Sequence, residues 1–179
     1  AEQPPEGAAA LAEGTHDGFQ DRYYKGRRPN QFYIPRFRNV HGDRQRDFVR
    51  GYAFGGACAR SGWDRGTGED GFGADFKTRM TRPGPWNIFV QSQAEMLPVF
   101  DNSVRLNHQK LDPWGLPTLD IDCAHGPNED AMTRDMAAVC QEMLETGGFR
   151  DIHVADSGAV TGIGIHEVGT ARMGRDPKT

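Results

Sequence analysis

One histidine in this 179-residue chain stands where proton chemistry would be easiest. His166 follows a short apolar run containing Ile163 and Ile165, and precedes Gly169-Thr170 and Met173-Gly174. Imidazole titrates close to neutrality, so it can take a proton from a hydroxyl and later return it. The glycines of the stretch Gly162–Gly174 permit tight turns and let backbone approach a flat or bulky group. Two better-known arrangements fail here. A His-Glu-x-x-His zinc helix would need its second histidine where Thr170 stands, and Gly169 interrupts the helix. A Gly-x-Gly-x-x-Gly loop begun at Gly162 and Gly164 would need glycine where Glu167 stands. No metal is expected at this stretch. His166 is the candidate proton acceptor.

The other groups capable of chemistry are less pointed. His16, His41, His108 and His125 sit in polar or turn contexts and are expected at the surface. His153 alternates with Ile152 and Val154, which places it on the less buried side of a strand. Cys58, Cys123 and Cys140 are odd in number, widely spaced and lack a Cys-x-x-Cys pair. That excludes a disulfide framework and favours buried, reduced thiols. Charge is uneven: residues 21–60 hold ten Lys/Arg against three Asp/Glu, and residues 101–151 hold four against ten. Arginines interleaved with Tyr23, Tyr24, Phe32, Tyr33 and Phe37 have the chemistry of a single-stranded nucleic-acid groove. The simpler expectation is a solvated sheet edge whose arginines pair with acids, and no nucleic-acid partner. Arg27-Arg28 or Arg36 and Arg38 could also brace a further part of the protein.

The elements that must position these groups are legible in outline. Residues 1–18 are rich in Pro, Gly, Ala and Glu and read as a loop or frayed end. Residues 31–37 read as a strand, held to a sheet edge or a bulge by Pro35. A glycine-loosened strand over 48–58 follows, then a glycine-rich loop around Trp63 and a short helix over 74–80, closed by Pro83-Gly84-Pro85. Residues 86–97 read as a long strand. Turns at 101–102 and 112–115 bracket a short strand over 104–106. Leu119 and Ile121 alternate with acids over 117–122, which predicts a half-buried strand paired with the previous one. Met132, Met136, Val139, Cys140, Met143 and Leu144 form one apolar stripe of a helix over 128–146, capped by Asn128 and ended by Gly147-Gly148. Ile152 and Val154 make a last strand. The predicted fold is α+β, a mostly antiparallel sheet with one long helix covering one face.

Composition limits what such a chain can be. Leu, Ile, Val and Phe supply 32 of 179 residues, ~18%, below the ~20% level that signals a thin core. Disorder would also call for a high net charge, and this chain carries −4 with 9% aromatic residues. The chain therefore reads as one slab of a larger protein that lends apolar faces to other parts. It opens on Ala1-Glu2-Gln3 with no initiator Met, so an excised or truncated chain is expected. No apolar run approaches the roughly 18 residues of a membrane helix.

The spacing His166-x-x-Gly169-Thr170-x-x-Met173-Gly174 resembles the signature of the glucose-methanol-choline (GMC) flavin oxidoreductases. Asn102–Leu106, Gly115-Leu116-Pro117 and Asp120-Ile121-Asp122, followed by the long helix, are similar to the hairpin and helix that open that family's C-terminal region. Gly26–Asn30 and Ile34–Asn39 resemble the bacterial branch of sugar and gluconate dehydrogenase large subunits. The resemblance covers roughly residues 19–179. It implies a substrate domain built on an antiparallel sheet: 19–100 as part of the substrate-binding domain, 101–179 as a truncated C-terminal domain. It further implies FAD as cofactor and a sugar or related alcohol as substrate, oxidised at its CH–OH group by hydride transfer to the flavin. His166 would be the catalytic base, with Gly169 and Thr170 beside the cofactor. A small subunit and a cytochrome electron acceptor are implied as partners, in a cytoplasmic or periplasmic setting. Two departures bear on this. No Gly-x-Gly-x-x-Gly occurs, so the FAD-binding Rossmann part is expected to be largely absent. The chain stops at Thr179, before the family's second active-site His or Asn, so the fragment alone is expected to be inactive. On that reading Trp63 or Trp86 would stack on a sugar face, though filling a core is the simpler expectation for each. The competing expectation is a non-catalytic carbohydrate- or partner-binding domain that shares the fold without the chemistry.

Overall fold

The computed structural model describes residues 10–16, 31–40, 42, 44, 47–156 and 176. Seven strands and two α-helices follow one another: β1 (Ala10–His16), β2 (Gln31–Ile34), β3 (Tyr52–Arg60), α1 (Gly73–Met80), β4 (Trp86–Ala94), β5 (Ser103–Leu111), β6 (Pro117–Asp122), α2 (Pro127–Thr146) and β7 (Arg150–Asp156). A 3-10 turn over Trp63–Thr67 precedes α1. Five strands form one sheet in the order β2-β3-β4-β1-β7, every neighbouring pair antiparallel. Strands β5 and β6 pair as a separate antiparallel hairpin. The architecture is the expected α+β arrangement, with one long helix. No helix among the described residues is long and apolar enough to cross a membrane.

Strand β2 lies at the sheet edge and ends at Ile34, one residue before Pro35, which has no N–H to give to a ladder. The other end of the chain order corrects an expectation. Residues 1–18 read as a loop, yet Ala10–His16 is an inner strand bonded to β4 on one side and β7 on the other. Its residues are small or polar, so neither hydrophobic alternation nor β propensity announces it. Two antiparallel partners satisfy its backbone, and buried Ala12 and Gly14 leave room for the helix above.

Helix α2 lies across β1, β7 and β4. Its predicted stripe is the buried one: Met132, Met136, Val139, Cys140 and Leu144 meet Ala12, Val90, Tyr52 and Phe54, with Met143 packed alongside. Burial of each such methionine is worth about 1.5–3 kcal/mol. Burial also pushes the Cys140 thiol up to about 11, and raises Cys58 on β3. None of the three cysteines forms a disulfide.

The helix start differs from expectation. The capping residue is Gly126, not Asn128, with Pro127 in the first turn. Glu129, 1% exposed, does the work a capping side chain would do. Its Oε2 accepts from the Gly126 N–H at 2.9 Å, and its Oε1 from the Leu97 N–H at 3.0 Å and the Asn128 amide at 3.1 Å. Asn128 Oδ1 accepts from the Val49 N–H at 2.8 Å. One carboxylate thus ties the helix to the segment after β4, and its neighbour ties it to the segment before β3. At the far end Gly148, at φ 76°, donates to Glu145 O, and Phe149 N–H reaches Leu144 O, both at 3.0 Å.

A second polar knot holds the loop after β2. Asp135 on α2 accepts from the Tyr52 hydroxyl at 2.5 Å and, in two-pronged fashion, from Arg38 Nε at 2.9 Å and Nη2 at 3.2 Å. Burial, reinforced by the bond to Asp135, raises the Tyr52 phenol well above its ordinary range, so it remains a donor. Arg36 and Arg50 each approach Glu95 at 3.4 Å on the surface. These arginines of the basic block are engaged by acids of this chain.

Replacing Asp135 by Ala orphans a buried phenol and a guanidinium together, and should cost about 2–4 kcal/mol in urea unfolding. Glu129→Gln tests the other knot through pH. Burial raises the Glu129 pKa, but the bonds from Leu97, Asn128 and Gly126 outweigh it and leave the value lowered. A depressed folded pKa gives stability that is present above the usual carboxylate range and lost below it. The gap between native chain and Glu129→Gln should be full at neutral pH and shrink as the solution is acidified through that range.

Candidate functional site: an open sheet face

His166, Gly169 and Thr170, the expected base and cofactor contacts, lie outside the described residues. The described residues supply one open surface whose chemistry can be read from its side chains. Side chains alternate across each strand, so the face turned away from α2 can be read from the register. One row crosses all five strands as Gln31, Ala57, Phe89, Glu13 and His153. The next row runs Tyr33, Gly55, Gln91, Leu11 and Ala155. Tyr33 is 67% exposed, and Glu13, Phe89, Gln91, Gln93 and His153 are exposed as well.

The chemistry of this face suits a polyhydroxylated ligand. Glutamine amides donate and accept, so Gln91 and Gln93 can match hydroxyls of either sense. Tyr33 and Phe89 offer rings to the apolar side of such a molecule. Glu13 and His153 sit directly opposite on neighbouring strands, a carboxylate beside an imidazole. Apart from His153, whose exposed side was expected, and Tyr33, one of the rings of the basic block, these residues were not singled out by sequence. The signal was present in β4, where Asn87, Phe89, Gln91 and Gln93 alternate with the inward Ile88, Val90 and Ser92.

Other expectations are redrawn. Strand β6 pairs with β5 as expected, but it is not half-buried: Leu119 is 60% exposed and Ile121 49%. Leu106 opposite Leu119 and Val104 opposite Ile121 make an apolar face that no described element covers. His125 is only partly exposed, and its Nε2 and the Ser103 Oγ are shielded without hydrogen-bond partners. Trp63 fills no core, being 78% exposed, whereas Trp86 is partly buried beneath the Arg60 guanidinium at 5.9 Å. Among the described residues no group of three His, Cys, Asp or Glu side chains converges as metal ligands would.

Comparison with known families finds a likeness in the carboxyl-terminal part of the chain. Residues 98–179 match the family model of the GMC oxidoreductases, over its C-terminal domain. That segment is similar to a GMC oxidoreductase C-terminal domain. It contains the hairpin, α2, β7 and the whole of the Gly162–Gly174 stretch. No curated protein matches the chain. GMC oxidoreductases are generally FAD-dependent, and the matched part is not their FAD-binding region. The described residues agree with that division. All strand pairs are antiparallel and α2 is entered from a hairpin, so the strand-turn-helix cradle of a dinucleotide pyrophosphate is not among them.

Because the Gln91 and Gln93 side chains are exposed and make no hydrogen bond among the described residues, truncation of both to Ala should shift the unfolding free energy by no more than ~0.5 kcal/mol. A larger loss in a urea titration would mean that the face is covered in the folded protein.

Proposed function

We propose that this chain is the substrate-side part of an FAD-dependent oxidoreductase acting on the CH–OH group of a sugar or related alcohol. The carrying observation is the family match over residues 98–179, which includes His166 in its His-x-x-Gly-Thr-x-x-Met-Gly setting. FAD, when bound in the complete enzyme, supplies the hydride acceptor. The part of this chain is to bind, orient and manage the proton. His166 accepts the hydroxyl proton through a neutral imidazole, and Gly169 and Thr170 lie beside the cofactor. The open face over β2, β3, β4, β1 and β7 would hold the sugar, with Gln91 and Gln93 bonding to hydroxyls and Tyr33 or Phe89 against the ring.

The sugar and gluconate dehydrogenase branch is the reading that the arginine-rich segments Gly26–Asn30 and Ile34–Asn39 support. On that reading a small subunit and a cytochrome take the electrons onward.

In the complete flavoprotein, His166→Ala should leave flavin bound, seen by its visible absorbance, and slow flavin reduction by substrate about 10²–10⁴-fold. Raising the pH should restore part of the loss, since hydroxide can replace a missing base. Near-normal reduction by the variant would overturn the assignment.

A further inference from the structure

The excursion between β3 and β4 builds a cleft that the proposed reaction does not use. The chain leaves β3 at Arg60, passes the 3-10 turn and α1, and returns through Thr81–Pro83 to β4. The cleft between these segments has a volume of about 800 Å³, within the ~300–1,000 Å³ span of small-molecule sites. It lies in residues 60–83, outside the segment that matches the family.

Its walls combine two chemistries. Trp63, Phe76, Met80 and Pro83 are apolar, and Lys77 and Arg82 add two cations. No carboxylate of the described residues lines it. Arg60 is committed elsewhere: its Nε donates to Gly84 O at 2.9 Å and its guanidinium lies over Trp86. Lys77 and Arg82 have no ion-pair partner among the described residues, while the nearby Glu69 is held by Arg65 at 2.9 Å.

The cleft is built before any ligand arrives. Arg65 reaches Gly62 O at 2.7 Å and Arg79 O at 2.9 Å, locking the 3-10 turn onto α1. Gly66 permits that contact, because a Cβ there would stand 3.0 Å from Met80 Sδ and 3.1 Å from the Phe76 ring. Trp63 nevertheless stays 78% exposed. An indole left in water beside two uncompensated cations selects for a ligand with a flat apolar body and a negative charge. A neutral aromatic would leave the cations unused, and an aliphatic acid would forgo the rings.

We propose that the cleft between the Trp63–Thr67 turn and α1 binds an aromatic carboxylate. Calorimetric titration of the full chain with naphthalene-2-carboxylate tests this against neutral naphthalene-2-carboxamide and against octanoate. The aromatic acid should bind at least about tenfold tighter than either comparison. Lys77→Gln together with Arg82→Gln should abolish the preference for acid over amide, and Trp63→Ala should weaken the acid about tenfold or more. All three side chains are exposed, so the variants should keep the native circular dichroism spectrum. Undetectable binding, equal affinity for acid and amide, equal affinity for octanoate, or an unchanged affinity in Trp63→Ala would each overturn the proposal.

Discussion

A sheet has two faces, and the described residues include one long helix with which to cover them. Helix α2 takes the face of Ala12, Val90, Tyr52 and Phe54, and most of the buried apolar surface lies at that contact. The other face therefore stays open along Tyr33, Phe89, Gln91, Glu13 and His153. Burial on one side and exposure on the other follow from a single packing decision. The same decision makes β1 necessary, since only small residues on an inner strand let a helix carrying methionines sit close above it.

Such a contact needs the helix at one height and one rotation, and apolar packing alone is non-directional. Two acids, Glu129 buried and Asp135 half-buried, provide the direction. Glu129 fastens the helix start to backbone after β4, and Asp135 fastens its middle to β3 and to the loop after β2. Each is fully engaged, so neither leaves a charge stranded in the interior. Uneven charge along the chain thus has a concrete use: Arg38 of the basic block meets Asp135 of the acidic half.

Much of this was legible beforehand. The apolar stripe of α2, the hairpin of β5 and β6 and the edge position of β2 follow from period and punctuation, which are local properties. What escaped had no local signal. Residues Ala10–His16 look like a loop because they are small and polar, and their strand is made by the neighbours on both sides. Asn128 resembles a cap, but Glu129 could reach back to Gly126 and so shifted the helix start. The hairpin's Leu119 and Ile121 alternate as a half-buried strand should, yet no described element covers them. That exposed face is consistent with a low content of large aliphatic residues in a segment matched to one domain of a larger enzyme family.

The chemistry divides in the same way. Sequence by itself singled out His166 as the candidate proton acceptor, because His166, Gly169, Thr170 and Met173 are a spacing, and spacing survives without coordinates. Only the tertiary structure decided which residues share the open face. Glu13 and His153 are far apart in the chain and adjacent in the sheet, and Tyr33 reaches Gln91 only across β3. Antiparallel pairing between distant strands sets those neighbours, and its register depends on partners that no single segment encodes.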